Sequence, residues 1–370
     1  MKKKTIAVIS NDSVWTYNLR REVIEALLDD GYRVVIFVGY GQRIDDLKAM
    51  GCEIIDIPVD RHGMNPVREF SLLTKYFKAL KDLKPELVLT YTIKPNIYGG
   101  LACQAQRIPY VANITGLGTM IENKSAFQKM AIFLLKLGLR KASMVFFQNT
   151  ENMKFLLEKK VVSGRYELLP GSGVNLSHFK ALTYPSDDVV NFVFISRIMK
   201  EKGIDQYLEA ATVIRDRHPN TKFHICGFCE QNYKAQISEL CRAGVVIYHG
   251  MVDDVREVLG KMHCTVHPTY YPEGLSNVLL ESSACARPII TTNRSGCREV
   301  IEDNANGYIV REKDGQDLIE KLEAFLSLSY EQKRSMGIYG REKVEREFDR
   351  EIVVSHYERI TAELLNKTEE

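Results

Sequence analysis

Long apolar runs are absent from this sequence. None approaches the ~18 residues that a helix needs to cross a membrane. The basic start, Met1 to Lys4, is followed by an apolar stretch of only Thr5 to Ile9 before polar residues return, which is too short for a secretory signal. The sequence therefore predicts a cytoplasmic protein without a membrane-spanning segment.

A cysteine spacing typical of disulfide scaffolds is also missing. The eight cysteines are scattered along 370 residues, which fits a reducing compartment. Cys226 and Cys229 form a C-x-x-C pair, but no second cysteine pair or histidine pair follows at a zinc-site distance. We interpret this pair as an ordinary strand-to-loop turn.

Two familiar ligand motifs are missing as well. The residues after the first apolar strand, 10–22, contain no Gly-rich fingerprint, which makes a dinucleotide site improbable. No Asp-x-Asp metal motif stands at a strand end. The sequence accordingly predicts no cofactor and no metal.

Apolar strands alternate with amphipathic helices along almost the whole chain, a pattern that indicates parallel sheets covered by helices on both faces. The chain exceeds the size at which single cores stop growing, so two domains are expected. The alternation lapses into Gly, Ser, Asn and Pro at residues 171–185, the predicted linker. The expected fold class is α/β, with doubly wound sheets in domains 1–180 and 186–349. Strands are predicted at residues 5–10, 33–38, 53–57, 87–91, 110–114, 144–148, 191–196, 222–226, 245–248, 264–267 and 288–291.

Charge is distributed unevenly between the two halves. Residues 1–180 carry 26 Lys and Arg against 17 Asp and Glu, a net +9, whereas the remainder carries 24 against 31, a net −7. The basic half suggests an anionic partner for the N-terminal domain alone. Nucleic acid is disfavoured because no recognisable nucleic-acid-binding module accompanies the charge.

Residues 268–299 hold the most informative stretch. A strand ends at His267, a loop with two prolines follows, and a helix is predicted from about Ser276 to Ala286. Glu273 lies in the loop, and Glu281 lies on the helix with seven residues between them. The backbone amides of Leu275, Ser276 and Asn277, next to Gly274, would suit a phosphate because a helix N-terminus offers unpaired N–H groups.

Two cations follow the strand at 191–196. Arg197 stands at its carboxyl end, and Lys202 lies five residues on, where Lys202-Gly203 is predicted to begin a helix. Such a pair is a plausible clamp for a diphosphate. Gly227, in the turn after the next strand, allows close approach to a nucleoside.

Polar turns also follow the strands of the first half. They combine cations, amides and glycines on what should be one rim of a parallel sheet, where ligands collect. The candidate ligand-binding residues at this rim are Arg20, Arg61, Asn65, Lys94, Asn96, Thr115, Gly116 and Gly118.

The Glu, seven residues, Glu spacing followed by Ala-Cys-Ala-Arg-Pro resembles the signature of family 4 glycosyltransferases, which are retaining enzymes with the GT-B fold. The resemblance implies two Rossmann-like domains facing a cleft, with a last helix, residues 350–370, that returns to the N-terminal domain. It implies that Glu273 contacts the transferred sugar, that Glu281 binds the ribose, and that Arg197 and Lys202 hold the donor diphosphate. Glu273, Arg197 and Lys202 are therefore the candidate catalytic residues.

The first-half loops look like those of a subgroup that extends polyprenyl-diphosphate-linked sugars. In that subgroup this domain receives the acceptor, so the resemblance implies that the eight rim residues of the first half bind the acceptor. The resemblance implies transfer of a hexose or N-acetylhexosamine from a nucleotide sugar, UDP-linked by resemblance only, in surface polysaccharide or glycan assembly. Many members carry a His near the position of Thr115, whose role Thr115 or the neighbouring backbone would take here. The alternatives are a UDP-sugar epimerase of the same two-domain fold and a non-catalytic nucleotide-sugar-binding protein.

A helix predicted over Ser125 to Ala142 has an unusual face. Lys129, Phe133, Lys136 and Arg140 are spaced four, three and four and form one stripe. A cationic stripe that contains a large apolar side chain suits an anionic membrane surface. The sequence thus predicts peripheral attachment to the inner face of the cell membrane.

Overall fold

The computed structural model describes residues 3–60, 65–118 and 126–366. The chain divides into two compact units. One runs to Ser172 and resumes at Arg350, and the other comprises Gly173–Asp349. The chain therefore leaves the first unit once and re-enters it near its end.

The first unit is built on a seven-stranded parallel sheet with the order β3-β2-β1-β4-β5-β6-β7. The central strands are buried along their whole length, which is why they read as continuous apolar runs. Their bounds are β1 Thr5–Ile9, β2 Arg33–Val38, β3 Glu53–Asp56, β4 Leu87–Tyr91, β5 Tyr110–Ile114, β6 Met144–Phe147 and β7 Tyr166–Leu168.

Helices cover both faces of this sheet and produce two apolar cores, one on each side. A short π-helical segment, Pro95–Gly99, leads into α4. The helices of this part of the chain are α1 Ser13–Asp29, α2 Ile44–Ala49, α3 Pro66–Leu83, α4 Gly100–Gln106, α5 Ala126–Leu139 and α6 Thr150–Glu158.

The second unit holds a six-stranded parallel sheet with the order β10-β9-β8-β11-β12-β13. Its strands are β8 Val190–Ile195, β9 Thr221–Cys226, β10 Val246–Gly250, β11 Cys264–His267, β12 Ile289–Thr292 and β13 Gly307–Val310. Its helices are α7 Ile204–Arg217, α8 Lys234–Arg242, α9 Val255–Leu259, α10 Asn277–Ala284, α11 Gly315–Ser327 and α12 Tyr330–Glu347. The predicted fold class, two doubly wound parallel sheets, is confirmed.

The last helix, α13 Arg350–Asn366, belongs to the first unit. Arg350 forms an ion pair with Glu22 of α1 at 2.7 Å. Tyr357 is buried, and its hydroxyl donates to the side-chain oxygen of Asn113 on β5. These contacts complete the core on one face of the first sheet.

Some predicted boundaries need correction. Residues 173–185, part of the predicted linker, pack on the second unit: Val174 is buried in its core, and the Tyr184 hydroxyl donates to the His263 carbonyl. The division therefore falls at Ser172 and Gly173 rather than at residue 180. Residues 295–300 form turns.

Arg287 ties the end of α10 to its surroundings. Its guanidinium is fully buried and donates to the carbonyls of Leu259, Leu182 and Thr183 at 2.8, 3.3 and 2.8 Å. Three chain segments thus depend on one side chain.

We expect Arg287→Met to destabilise the second unit by about 3 kcal/mol, because it leaves several buried carbonyls without donors. Urea unfolding, monitored by far-ultraviolet circular dichroism, measures the loss of stability. Arg334→Met, at an exposed position on α12, is the control and should change the midpoint little. Equal midpoints for the two variants would contradict the role given to Arg287.

Candidate functional site

The carboxyl ends of neighbouring strands bring the predicted donor residues to one rim of the second sheet. Arg197 follows β8, Gly227 follows β9, and residues 268–276 follow β11. These three strands are adjacent in the sheet, and ligands of open α/β sheets bind at such rims.

Lys202 and Glu273 form an ion pair at this rim, with side chains 10% and 19% exposed. The ring of Tyr271 lies beneath both cations, 4.9 Å from the Lys202 ammonium and 5.9 Å from the Arg197 guanidinium carbon. Arg197 itself is exposed. The two cations and the acidic side chain are therefore collected around one aromatic ring.

Two glycines make this close arrangement possible. Gly203 has φ +78°, and a Cβ there would lie 2.1 Å from the Pro268 carbonyl oxygen. Gly227 has φ +136°, and its Cβ would lie 1.9 Å from the Ser196 carbonyl oxygen. Since no larger residue fits at either position, the turns that carry Lys202 and Arg197 approach their neighbours as backbone against backbone.

Hydrogen bonds fix the Lys202 turn to the loop after β11. The Tyr270 amide donates to the Glu201 carbonyl at 2.9 Å, and the Thr269 hydroxyl donates to the same oxygen at 3.3 Å. The position of Lys202 relative to Glu273 is thus set by backbone contacts on both sides.

The predicted phosphate cradle at α10 needs one correction. The Ser276 amide donates to the Gly296 carbonyl at 2.7 Å, so it is not available to a ligand. Ser276 makes no side-chain cap to the helix, and the first helical amides, those of Asn277 and Val278, have no acceptor within the helix. The backbone amides that could bind an anion are therefore those of Asn277 and Val278. The Leu275 side chain packs in the core.

Glu299 holds the segment that accepts the Ser276 amide. Its carboxylate accepts from the Ser295 hydroxyl at 3.0 Å and from the Gly296 amide at 2.7 Å. A Cβ at Gly296 would meet the Glu273 Cβ at 2.8 Å and the Gly274 oxygen at 2.9 Å. Glu299 therefore supports the loop that carries Glu273.

Glu281 lies on α10, four residues after Asn277, so the two side chains share one helix face. Glu281 is partly exposed. The side-chain oxygen of Asn277 is buried, and among the described residues it has no hydrogen-bond partner. This face therefore presents a carboxylate and an unused amide oxygen near the helix start, which suits a ligand rich in hydroxyls.

His267, the last residue of β11, is a site neighbour that sequence reasoning missed. Its ring is buried, and within the described ranges neither ring nitrogen has a hydrogen-bond partner. Burial, reinforced by the nearby Lys202 ammonium, lowers the pKa of His267 to about 3. The ring therefore stays neutral beneath the ion pair.

The candidate acceptor residues of the first unit divide into four groups. Asn65 caps α3 by accepting from the Val67 and Arg68 amides, and the buried Asn96 side chain bonds Thr90 and the Asn113 carbonyl. Both side chains have local structural roles that their sequence context did not reveal. Arg61 lies outside the described residues.

Lys94 pairs with Glu69 at 2.5 Å, with both side chains largely buried. Gln148 brings Arg20 and Thr115 together: it accepts from Arg20 at 2.9 Å and donates to the Thr115 carbonyl at 3.3 Å in the amide orientation that satisfies both of its groups. Arg20, Thr115 and Gln148 form the Arg20 cluster at the rim of the first sheet, and Gly116 and Gly118 follow Thr115 in the chain.

Helix α5 has the predicted two-sided character over residues 128–139. Lys129, Phe133 and Lys136 are exposed, as is Arg140 just past its end, whereas Ala131 and Gly138 are buried. Within the described residues, no helix is both long and apolar enough to span a bilayer, and no group of three or more His, Cys, Asp or Glu could hold a metal ion.

Two family models account for most of the chain. Residues 5–149 match the model described as "Glycosyl transferase 4-like", and residues 179–343 match "Glycosyl transferases group 1". The chain belongs to the family 4 glycosyltransferases. The Lys202–Glu273 pair and α10 lie in the second of these matches, and the Arg20 cluster lies in the first.

Relatives of known name are similar over nearly the full length of this glycosyltransferase. One is N,N'-diacetylbacillosaminyl-diphospho-undecaprenol alpha-1,3-N-acetylgalactosaminyltransferase of Campylobacter jejuni, 26% identical, with 87% of this chain and 89% of the relative covered. Another is the capsular polysaccharide biosynthesis glycosyltransferase CapM of Staphylococcus aureus, 23% identical over 88% and 89%.

Solved structures share the fold of this glycosyltransferase. A glycosyltransferase of Rickettsia africae matches with a TM-score of 0.82 at 19% identity and covers 99% of both chains. HepE of Anabaena, in complex with UDP and glucose, matches with a TM-score of 0.76 at 16% identity, covering 98% of this chain and 100% of HepE. The GT-B fold that the sequence suggested is confirmed.

The neutral state of His267 predicts an acid-side loss of stability in this glycosyltransferase. Below the ordinary histidine pKa the unfolded chain binds a proton that the folded chain does not, so stability falls as pH drops from about 6.5 toward 3. Between about pH 7 and about pH 4.5, His267→Leu should lose about 2–3 kcal/mol less than the wild type. Urea unfolding at both pH values measures this.

His178→Leu is the matched control because His178 is exposed on the same unit. It should lose as much stability as the wild type on acidification. A His267→Leu variant that behaves like the control would show that His267 is not the group responsible.

Proposed function

We propose that this glycosyltransferase moves a hexose or N-acetylhexosamine from a UDP-sugar to a polyprenyl-diphosphate-linked sugar, with retention of anomeric configuration. The observation that carries the proposal is the Lys202–Glu273 ion pair beside Arg197 at the rim of the second sheet. A cation pair next to a carboxylate matches a ligand in which a diphosphate is joined to a sugar.

When the donor binds, its diphosphate would replace Glu273 as the partner of Lys202. The diphosphate carries more negative charge than the Glu273 carboxylate, so it binds the Lys202 ammonium and the Arg197 guanidinium. Glu273 then becomes available to the sugar hydroxyls. As the glycosidic bond breaks, negative charge grows on the diphosphate, and the cations and the first amides of α10 stabilise it. Glu281 then binds the ribose.

Retention is proposed from the engagement of Glu273 at this rim. Glu273 is engaged with Lys202 and placed for the sugar hydroxyls, and Glu281 lies on α10, eight residues later in the chain. We propose that a donor phosphate oxygen accepts the proton of the acceptor hydroxyl on the same face that the leaving group departs from. This route on one face of the sugar needs no second carboxylate, whereas a double displacement would need one as the nucleophile.

The acceptor assignment rests on the relatives and on the charge of the first half. The Campylobacter jejuni relative is named for transfer to a diphospho-undecaprenol-linked sugar, and the Staphylococcus aureus relative for capsule synthesis. The net +9 of residues 1–180 suits a substrate that carries a diphosphate and lies at an anionic membrane surface. The nucleotide is UDP in the HepE complexes, which supports UDP here.

We expect Glu273→Ala to lower turnover by at least a hundredfold and to leave nucleotide affinity within about threefold, because the sugar contact is lost while Lys202 is released to the diphosphate. Donor turnover and calorimetry with UDP measure the two quantities. Glu331→Ala, an exposed carboxylate on α12, should match the wild type in both. A UDP affinity that collapses with turnover would reassign Glu273 to nucleotide binding.

The choice of reaction is tested with donor alone. A panel of nucleotide sugars is incubated with and without membrane-extracted acceptor, and free nucleotide and the sugar configuration are measured. We expect nucleotide release only with acceptor. Conversion of the sugar without acceptor would identify an epimerase, and binding without release under any acceptor would identify a non-catalytic protein.

Membrane attachment is proposed for two helices that flank the π-helical segment. On α5, Met130 and Phe133 are 56% and 55% exposed among Lys129, Lys136 and Arg140. On α3, exposed apolar and basic residues again alternate. They are Val67, Phe70, Phe77, Arg68, Lys75, Lys78 and Lys81. Both helices pack on residues 95–99, so they support one membrane-facing side of the first unit.

Met130→Ser together with Phe133→Ser should reduce binding to phosphatidylglycerol vesicles at least tenfold, since each large apolar side chain that enters the interface contributes about 1.5–3 kcal/mol. Vesicle co-sedimentation measures binding. Ile338→Ser with Tyr339→Ser, exposed residues of the second unit, is the matched control and should sediment like the wild type. If both double variants sediment equally with the vesicles, α5 does not contact the membrane surface.

A further inference from the structure

Arg20 on α1 is a buried cation without an acidic partner. It is 6% exposed, and its guanidinium carbon lies 4.7 Å from the centre of the Tyr91 ring. Within residues 3–60, 65–118 and 126–366 it contacts this ring and Gln148 and lies close to Tyr357, and no carboxylate forms an ion pair with it. Arg21, the next residue, pairs with Glu22 and Glu25 at 3.6 and 3.5 Å. Buried arginines are rarely left without an anion.

The groups around Arg20 come from three neighbouring strands. Tyr91 ends β4, Thr115 follows β5 and Gln148 follows β6, and these strands are adjacent in the first sheet. Gln148 connects the guanidinium to the Thr115 carbonyl. Beyond Thr115 the backbone turns through Gly116 and Gly118, at φ +147° and +53°, where a ligand can approach main-chain amides closely.

Thr92 carries strain at this place. Its φ of +73° lies in the left-handed region, which a β-branched residue rarely adopts. Its hydroxyl is buried, and in the described part of the chain it has no hydrogen-bond partner. Thr92 directly follows Tyr91, whose ring carries the Arg20 guanidinium. Strain and an unused donor, one residue from the tyrosine that carries an unpaired cation, are properties of a binding site rather than of a packed core.

We propose that Arg20, the Thr92 hydroxyl and the Gly116–Gly118 backbone bind the diphosphate group of the acceptor. The guanidinium supplies two parallel N–H donors for phosphate oxygens, and the threonine hydroxyl supplies a third donor. Gln148 holds the guanidinium in place while the anion compensates its charge. The assignment to the acceptor rests on the proposed function, whereas the anion site itself does not.

Inorganic pyrophosphate tests the site directly. The full-length chain with Arg197→Gln and Lys202→Gln is used, so that the donor cations do not bind the probe, and binding is measured by calorimetry. Adding Arg20→Gln should weaken binding at least tenfold and Thr92→Val at least threefold, whereas the adjacent Arg21→Gln should leave it within twofold. Absence of pyrophosphate binding in this background, or equal affinities for Arg20→Gln and Arg21→Gln, overturns the proposal.

Gln148→Glu provides a second variant that keeps Arg20 in place. The new carboxylate would pair with the guanidinium from within the protein. We expect pyrophosphate binding to fall at least tenfold while the melting temperature rises or is unchanged, so that loss of binding cannot be attributed to unfolding. Undiminished binding in a folded Gln148→Glu protein also overturns the proposal.

Steady-state kinetics identify the source of the diphosphate. With otherwise native enzyme, Arg20→Lys, which keeps the charge but loses the planar pair of donors, should raise the KM for the lipid-linked acceptor at least tenfold and leave the donor KM within twofold. A raised donor KM with an unchanged acceptor KM would overturn the acceptor assignment. If the chain transfers no sugar at all, the proposed function fails, and the pyrophosphate titrations still decide whether the anion site exists.

Discussion

The second unit depends on the mutual neutralisation of Lys202 and Glu273 in a setting with little water. Either charge alone would be costly at that depth, and together they are tolerated. The surrounding backbone serves to hold them together, through Gly203 against Pro268 and through the segment at Gly296 that Glu299 supports. An anionic ligand that replaces Glu273 beside Lys202 therefore enters a place already built for an anion, which lowers the reorganisation that binding requires.

The two sheets differ in how the charged side chains at the carboxyl ends of their strands are neutralised. In the second, the acid and the base are both supplied by the chain, and the histidine below them is kept neutral. In the first, a guanidinium is buried with an aromatic ring and an amide as its recorded neighbours. A substrate can displace an internal partner in one unit and supply a missing partner in the other, and both are ways of making an anion bind selectively.

Much of the architecture was readable from the sequence because fully buried parallel strands appear as short apolar runs. The bounds predicted for β2, β4, β5 and β11 agree with the structure. β7 was missed because it is an edge strand of three residues with two exposed positions, and apolar character is what the prediction relies on. β13 begins at Gly307, where a glycine weakens the strand signal.

The residues that meet at the site could be predicted from the sequence, but their hydrogen-bond partners could not. Arg197, Lys202 and Glu273 meet because strand ends meet, which follows from topology. The use of the Ser276 amide by Gly296, twenty residues later, and the engagement of Asn65 and Asn96 in local bonds depend on partners that no spacing rule specifies. His267 was hidden inside an apolar run, where a neutral ring is indistinguishable in pattern from a hydrophobic residue.

The return of α13 to the first unit has a consequence for biosynthesis. Val353, Tyr357 and Ile360 belong to a core that also contains Ile6 and Val34, so that core stays incomplete until α13 has been synthesised. The Gly173–Asp349 unit is contiguous and has no such requirement. During translation the middle of the polypeptide can reach its native form before the beginning does, reversing the usual vectorial order of multidomain chains.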